Sequence, residues 1–249
     1  MRNLIKKVAI LCGPGTNCHA ETARALRLVG LDSAIVQISE ILNGQVRLND
    51  YWALVIPGGF SWGDHFGSGR IFALFLRRFQ DDLRQMVEGD SPILGICNGF
   101  QVLTETGLLP DLTIGEPKVA LVTNALARFE SRSVDLWVPE TKSFWTKGLG
   151  GSVLRRLPVA HGEGNPFIPT GTDILPGVFY AKDGKPTTEY PFCPNGSPGG
   201  IAGLIDSKKK LVFGLMPHPE RACRQGVHPS SDGLKIFQNL ADYLNSRPL

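Results

Sequence analysis

The chain has 249 residues with 42% hydrophobic content, enough to build a sizeable core, and its formal net charge of +3 is too small to argue for a nucleic-acid or membrane partner. Five cysteines (Cys12, Cys18, Cys97, Cys193 and Cys223) form an odd set without a C-x-x-C pair, which argues against a disulfide framework or a zinc ribbon and fits a reducing compartment. The start, Met1–Lys7, interrupts any apolar run with lysine, and no later run approaches membrane-spanning length, so the expectation is a cytoplasmic protein with one domain over residues 1–249.

Val8 to Leu11 reads as a short apolar strand, followed by a Cys12–Asn17 loop whose Thr16 or Asn17 can cap a helix carrying Ala23, Leu26 and Val29 on one face. Ala34 to Ile38 and Ala53 to Ile56 read as the next strands, the latter running into Pro57-Gly58-Gly59-Phe60-Ser61-Trp62-Gly63-Asp64. From Gly69 to Val87, Phe72, Phe75, Leu76, Phe79, Leu83 and Met86 recur at three and four residues, the spacing of one long amphipathic helix. Ile93 to Ile96 reads as a central parallel strand and Asn98 to Thr106 as a helix. This alternation predicts an α/β fold with a mostly parallel central sheet, helices on both faces and a ligand site beyond the carboxyl ends of its strands. After Pro110, short β-like runs at Val119–Thr123, Val134–Val138, Val153–Ala160 and Val178–Lys182 predict an antiparallel or mixed extension of the same sheet. The stretch from Pro158 to Pro198 reads as an ordered, aromatic-bearing loop system. Gly200–Ile205 and Leu211–Met216 supply two last strands, and Asp232–Asn245 a closing helix.

Two stretches carry chemistry. In Gly95-Ile96-Cys97-Asn98-Gly99, glycines flank Cys97 at two-residue spacing on a strand-to-helix turn, the pattern of a nucleophile elbow, where a helix N-terminus favours the thiolate. A small buried hydrophobe is the competing reading of Cys97. In Met216-Pro217-His218-Pro219-Glu220, prolines on both sides predict an extended segment with His218 and Glu220 on one side, so that the carboxylate fixes the imidazole tautomer. Cys97, His218 and Glu220 then form a candidate triad of nucleophile, proton carrier and orienting acid. Backbone N–H groups near Gly58 and Gly59, with that of Asn98, are candidates for an oxyanion hole, against an ordinary glycine turn. Gln101, one helical turn beyond Cys97, either presents its amide to a polar substrate or packs the helix on a loop. His161-Gly162-Glu163-Gly164 is either a polar pocket wall or a solvated turn. No G-x-x-x-x-G-K-[ST] and no dinucleotide fingerprint occurs.

These motifs resemble the class I, or triad, glutamine amidotransferases, and within them the glutaminase subunits of phosphoribosylformylglycinamidine synthase of purine biosynthesis. Gly95–Gln101 resembles the family's nucleophile motif and Pro217–Arg221 its His/Glu motif. Gly15–Cys18, Pro57–Ser61, Ala160–Gly164 and Pro194–Ser197 followed by Ile201–Gly203 are similar to segments of the purine branch. The resemblance implies a glutaminase with Cys97 as nucleophile, His218 as general base and acid and Glu220 as its orienter. Glutamine would bind beside Gly58, Gly59, Asn98, Gln101 and His161. It also implies no cofactor in this chain. ATP and magnesium would belong to a partner synthetase subunit that turns formylglycinamide ribonucleotide into its amidine, with a small accessory subunit in the same complex. The sequence departs from the family pattern at Trp62, where tyrosine is usual, at His19, where an acid is usual, and at Cys193, where asparagine is usual. A related triad glutaminase of another pathway, a cysteine hydrolase and a non-catalytic binding subunit on the same fold are the alternative readings.

Overall fold

The structure, a computed structural model, describes residues 5–247; Met1–Leu4 and the last two positions of the expected domain lie outside the described residues. Apolar runs form the strands β1 (Ile5–Cys12), β2 (Ser33–Gln37), β3 (Tyr51–Ile56) and β4 (Ile93–Ile96), connected by the helices α1 (His19–Leu28), α2 (Ile38–Leu42), α3 (Arg70–Arg77) and α4 (Gln80–Glu88). α5 (Asn98–Thr106) leaves β4 directly. There follow β5 (Ala120–Thr123), β6 (Glu130–Trp137), β7 (Val153–His161), β8 (Glu163–Phe167), β9 (Leu175–Lys182), β10 (Lys185–Pro186), β11 (Ile201–Ile205) and β12 (Val212–Leu215), and α6 (Leu234–Ser246) ends the fold.

The main sheet runs β2-β1-β3-β4-β12-β11-β9-β6-β7, with β10 paired to β9. Its pairs from β2 to β12 are parallel and its pairs from β12 to β7 antiparallel. The expected antiparallel extension is therefore present, while β5 and β8 stand apart as a two-stranded sheet. Every residue of β4 and β12 is buried, as the centre of a sheet covered on both faces requires. The β11–β12 hairpin is held by Asp206, which is fully buried and accepts the backbone N–H groups of Lys209 and Lys210 on Oδ1 and of Leu211 and Val212 on Oδ2.

Three local readings need correction. The helix expected over Gly69–Val87 is two helices broken at Arg78-Phe79. The apolar period continues across the break, which lets α3 bury Phe72 and Leu76 while α4 turns its acidic first turn to the chain before β3, where Asp82 accepts from Arg47 and the Leu48 N–H. Neither Thr16 nor Asn17 caps α1. Cys18 holds that position, Thr16 Oγ1 accepts the Gly13 N–H, and Asn17 Oδ1 accepts the Cys18 thiol. Finally, Glu220 lies in a short 3-10 turn, Pro219–Arg221, and not in an extended segment; proline suits the first position of such a turn.

Candidate active site

The carboxyl ends of β1, β3, β4 and β12 converge on one rim, where each feeds a loop bearing polar residues: 13–18, 57–61, Cys97 and 216–220. Cys97 follows β4 at φ 51° and ψ −106°, a sparsely populated conformation for a residue with a Cβ, and α5 starts at the next residue. The flanking glycines are required by close packing. A Cβ on Gly95 would stand 2.6 Å from the Gly99 carbonyl oxygen, and one on Gly99 would collide with the Ile56 carbonyl. Without side chains there, α5 seats on β3 and β4, and the unbonded N–H groups of its first turn open next to the sulfur. Cys97 is buried, and its thiol points at the Ala160 carbonyl, 3.6 Å away.

His218 is held from below by β12 and by its own N–H, which donates to the Pro158 carbonyl at 2.7 Å. Its Nδ1 is 2.6 Å from Glu220 Oε1, with both side chains buried. Burial works against a charge on the ring, but the carboxylate of Glu220, followed by Cys97 and Cys18, outweighs it and lifts the pKa of His218 well above the ordinary value. The Nε2 atom makes no hydrogen bond within ordinary limits. One ring nitrogen is thus left without a partner while the other is fixed by an acid.

His161, at the end of β7, is also buried, with the opposite electrostatics. Burial first, and then the charge on His218, lower its pKa to about 4, so it is neutral at pH 7. Its Nδ1 lies 3.1 Å from Asn124 Oδ1, and the Asn124 amide nitrogen donates to the carbonyls of Arg128 and of His161 itself. Asn124 Oδ1 is therefore an acceptor, the ring proton sits on Nδ1, and the buried, unpartnered Nε2 is a bare acceptor.

Asn98 and Gln101 form a chain of amides along the start of α5. Asn98 Oδ1 accepts the Ser61 N–H at 3.2 Å, its amide donates to Gln101 Oε1 at 2.9 Å and to Asp64 Oδ1 at 3.3 Å, and Gln101 Nε2 donates to the Glu163 carbonyl at 2.5 Å. Burial, with the nearby Glu163 carboxylate adding to it, raises the pKa of Asp64. A Cβ on Gly58 would stand 2.7 Å from His218 Cε1, and the Gly58 carbonyl accepts the N–H groups of Asn17 and Cys18; Gly59 has φ 152°, and a Cβ there would stand 2.7 Å from the Gly15 carbonyl oxygen.

The matched family is described as the CobB/CobQ-like glutamine amidotransferase domain, and the match spans residues 5–244. The chain belongs to this family. Relatives within it include the phosphoribosylformylglycinamidine synthase subunit PurQ of Dehalococcoides mccartyi, 40% identical over 94% of this chain and 95% of that protein. The subunit of the same name from Methanococcus maripaludis is 35% identical over 98% of this chain and all of its own length. Among solved structures, that of PurLQS from Thermotoga maritima matches with a TM-score of 0.78 and 32% identity, covering 96% of this chain and 100% of that one. A glutamine amidotransferase from the same organism, at 13% identity and TM-score 0.61, shares the fold.

Within this amidotransferase frame, the fold brings Cys97, His218, Glu220, Gly58 and His161 around one point. Asn98 and Gln101 are adjacent, and the bonds of their amides to Ser61, Asp64, Glu163 and each other brace the rim. The sequence reading missed two neighbours of His218. Cys18 approaches it from the 13–18 loop, and Arg221 places Nη2 3.0 Å from the Cys18 sulfur. Both lie inside the motifs, but only the fold reveals their contact, since 203 positions separate them. Trp62 stacks on Phe75 with ring centroids 5.1 Å apart and fills the space over Gly13, and Cys193 packs against Asn195 and Ser197, so both departures from the family pattern are packing positions.

Proposed function

We propose that this chain is the glutaminase subunit of a phosphoribosylformylglycinamidine synthase, hydrolysing glutamine at Cys97 and delivering ammonia to a synthetase subunit. The observation that carries the catalytic half is the cysteine on its strained elbow beside a buried His218 whose far nitrogen is bonded to Glu220 at 2.6 Å. With the Cys97 proton taken up on His218 Nε2, the sulfur attacks the side-chain carboxamide carbon of glutamine, and the carbonyl π electrons move to oxygen. That oxyanion is met by the N–H groups at the start of α5 and near Gly58 and Gly59. As the C–N bond breaks, His218 gives the Nε2 proton to the departing ammonia, while Glu220 holds the ring by Nδ1. Water, deprotonated by the same nitrogen, then cleaves the thioester to glutamate and regenerates the thiol.

His161 suits a supporting role, since its bare Nε2 can accept an N–H of the substrate without adding charge near His218. Asn98 and Gln101 hold the rim that glutamine contacts. The synthetic half rests on the relatives: the PurQ proteins are named as synthase subunits, and the Thermotoga structure contains PurQ together with PurL and PurS. By that likeness the partners are a synthetase subunit, which carries ATP and magnesium, and a small accessory subunit. The test uses the assembled complex with Cys97→Ser in this chain. Amidine formation from glutamine is lost while formation from added ammonia survives; loss of both together would overturn the division of labour between chains.

A further inference from the structure

We propose that Cys18, His218 and Glu220 form a binding site for a thiophilic divalent cation, zinc being the first choice, which silences the triad reversibly by taking His218 away from Glu220. The three residues are buried, and one donor atom from each lies within 4.8 Å of the other two. Sulfur, imidazole nitrogen and carboxylate oxygen are the donors zinc takes, and three protein ligands leave a fourth position for water. An independent feature points to the same ligand: Glu220 Oε2 is buried with no hydrogen-bond partner, an acceptor that the triad does not use. Gly58 keeps the cradle open, since a Cβ there would stand 3.2 Å from the Cys18 sulfur and 3.3 Å from His218 Nδ1.

The present geometry is set for a proton. Nδ1 and Oε1 are 2.6 Å apart, a hydrogen-bond separation, whereas ligands around a tetrahedral ion at the usual bond lengths stand about 3.4 Å apart. An ion therefore replaces the shared proton, and the carboxylate turns its unused oxygen inward. The Nδ1 proton and the thiol proton leave to solvent, so affinity rises with pH. The Arg221 guanidinium, 3.0 Å from the Cys18 sulfur, already occupies the place of a cation and must withdraw; its side chain reaches the surface, which gives it somewhere to go. With a metal on Nδ1, Glu220 no longer supports an imidazolium, and His218 cannot carry the proton to ammonia. Only this inhibitory consequence rests on the proposed glutaminase reading; the binding itself does not.

Cobalt(II), titrated into the Cys97→Ala protein, is the direct probe, because a thiolate ligand gives a sulfur-to-cobalt charge-transfer band. The expected result is one ion per chain, displaced by zinc, with the band present despite the missing nucleophile. Cys18→Ser in that background removes the band and weakens binding at least about tenfold. Arg221→Gln in the same background tightens binding while its far-UV circular dichroism stays that of the parent, which separates the effect from cobalt taken up by cysteines and histidines of an unfolded chain. In the otherwise unaltered protein, Cys18→Ser raises the zinc concentration needed to inhibit glutamate release. A band absent from Cys97→Ala, or one that persists in Cys97→Ala with Cys18→Ser, overturns the site.

Discussion

Replacing Gly58 by alanine places a single methyl group against the imidazole of His218. The new Cβ would stand 2.7 Å from His218 Cε1, where ordinary contact begins near 3.4 Å, so ring and loop must part by about 0.7 Å. Neither side yields freely. His218 is buried and tied to Glu220 and to Pro158, and the Gly58 carbonyl receives two N–H groups from the start of the α1 loop. Misplacement of a reacting group by 1 Å costs on the order of a hundredfold, so kcat/KM for glutamine is expected to fall roughly tenfold to a hundredfold, about 1.4–2.7 kcal/mol in transition-state stabilisation. Overpacking costs about 1–3 kcal/mol of stability on top, read from urea unfolding. Gly162→Ala is the matched control: its Cβ meets nothing nearer than Phe129 Cδ2 at 3.8 Å, and activity and stability should stay near the parent. Glutamate release at saturating and limiting glutamine, with circular dichroism on the same samples, separates the two effects. A folded Gly58→Ala protein with kcat/KM within about twofold of the parent would refute the placement of His218 against this loop.

Other variants follow from the same geometry. Cys97→Gly and Cys97→Ala should both lack glutaminase activity, but the glycine variant should be the more stable by about 1 kcal/mol in urea, because only glycine relieves the φ of 51° at the elbow. Asp206→Asn turns an amide nitrogen toward backbone donors that now find a carboxylate, and should cost about 1–3 kcal/mol in the same assay. The two buried histidines pull stability in opposite directions with pH. His161 is depressed from 6.5 to about 4, so the unfolded chain binds more protons between those values and up to about 3 kcal/mol is lost as pH falls through that window, a loss that His161→Gln should lack. His218 is raised, so its contribution is full below its unfolded value and is lost as pH climbs through the folded one; Glu220→Gln should flatten that alkaline limb in denaturation curves.

The α/β frame was legible because β1, β3 and β4 are short apolar runs divided by glycine-bearing loops, a pattern few other architectures share. The break between α3 and α4 was not, since Phe72, Leu76, Leu83 and Met86 keep helical spacing across it and no proline or glycine marks Arg78-Phe79. At the site, residue types and local spacing pointed to Cys97, His218 and Glu220, and the fold places them together. Local pattern could not show which polar groups bond within the fold: the Gln101 amide joins Asn98 to the Glu163 carbonyl, partners that its sequence position does not reveal. The Cys18–Arg221 contact joins opposite ends of the chain and leaves no local trace.

The proposed function stands on covalent chemistry by the sulfur of the β4–α5 elbow on glutamine, under control of the His218–Glu220 pair. Glutamate release from glutamine, measured with the chain alone and with its synthetase, and with Cys97→Ala as the blank, tests it most directly. Cys97-dependent release is expected, with a γ-glutamyl adduct on Cys97 by mass spectrometry of the acid-quenched enzyme. Release that persists in Cys97→Ala, or a folded and assembled complex that releases none, would contradict it.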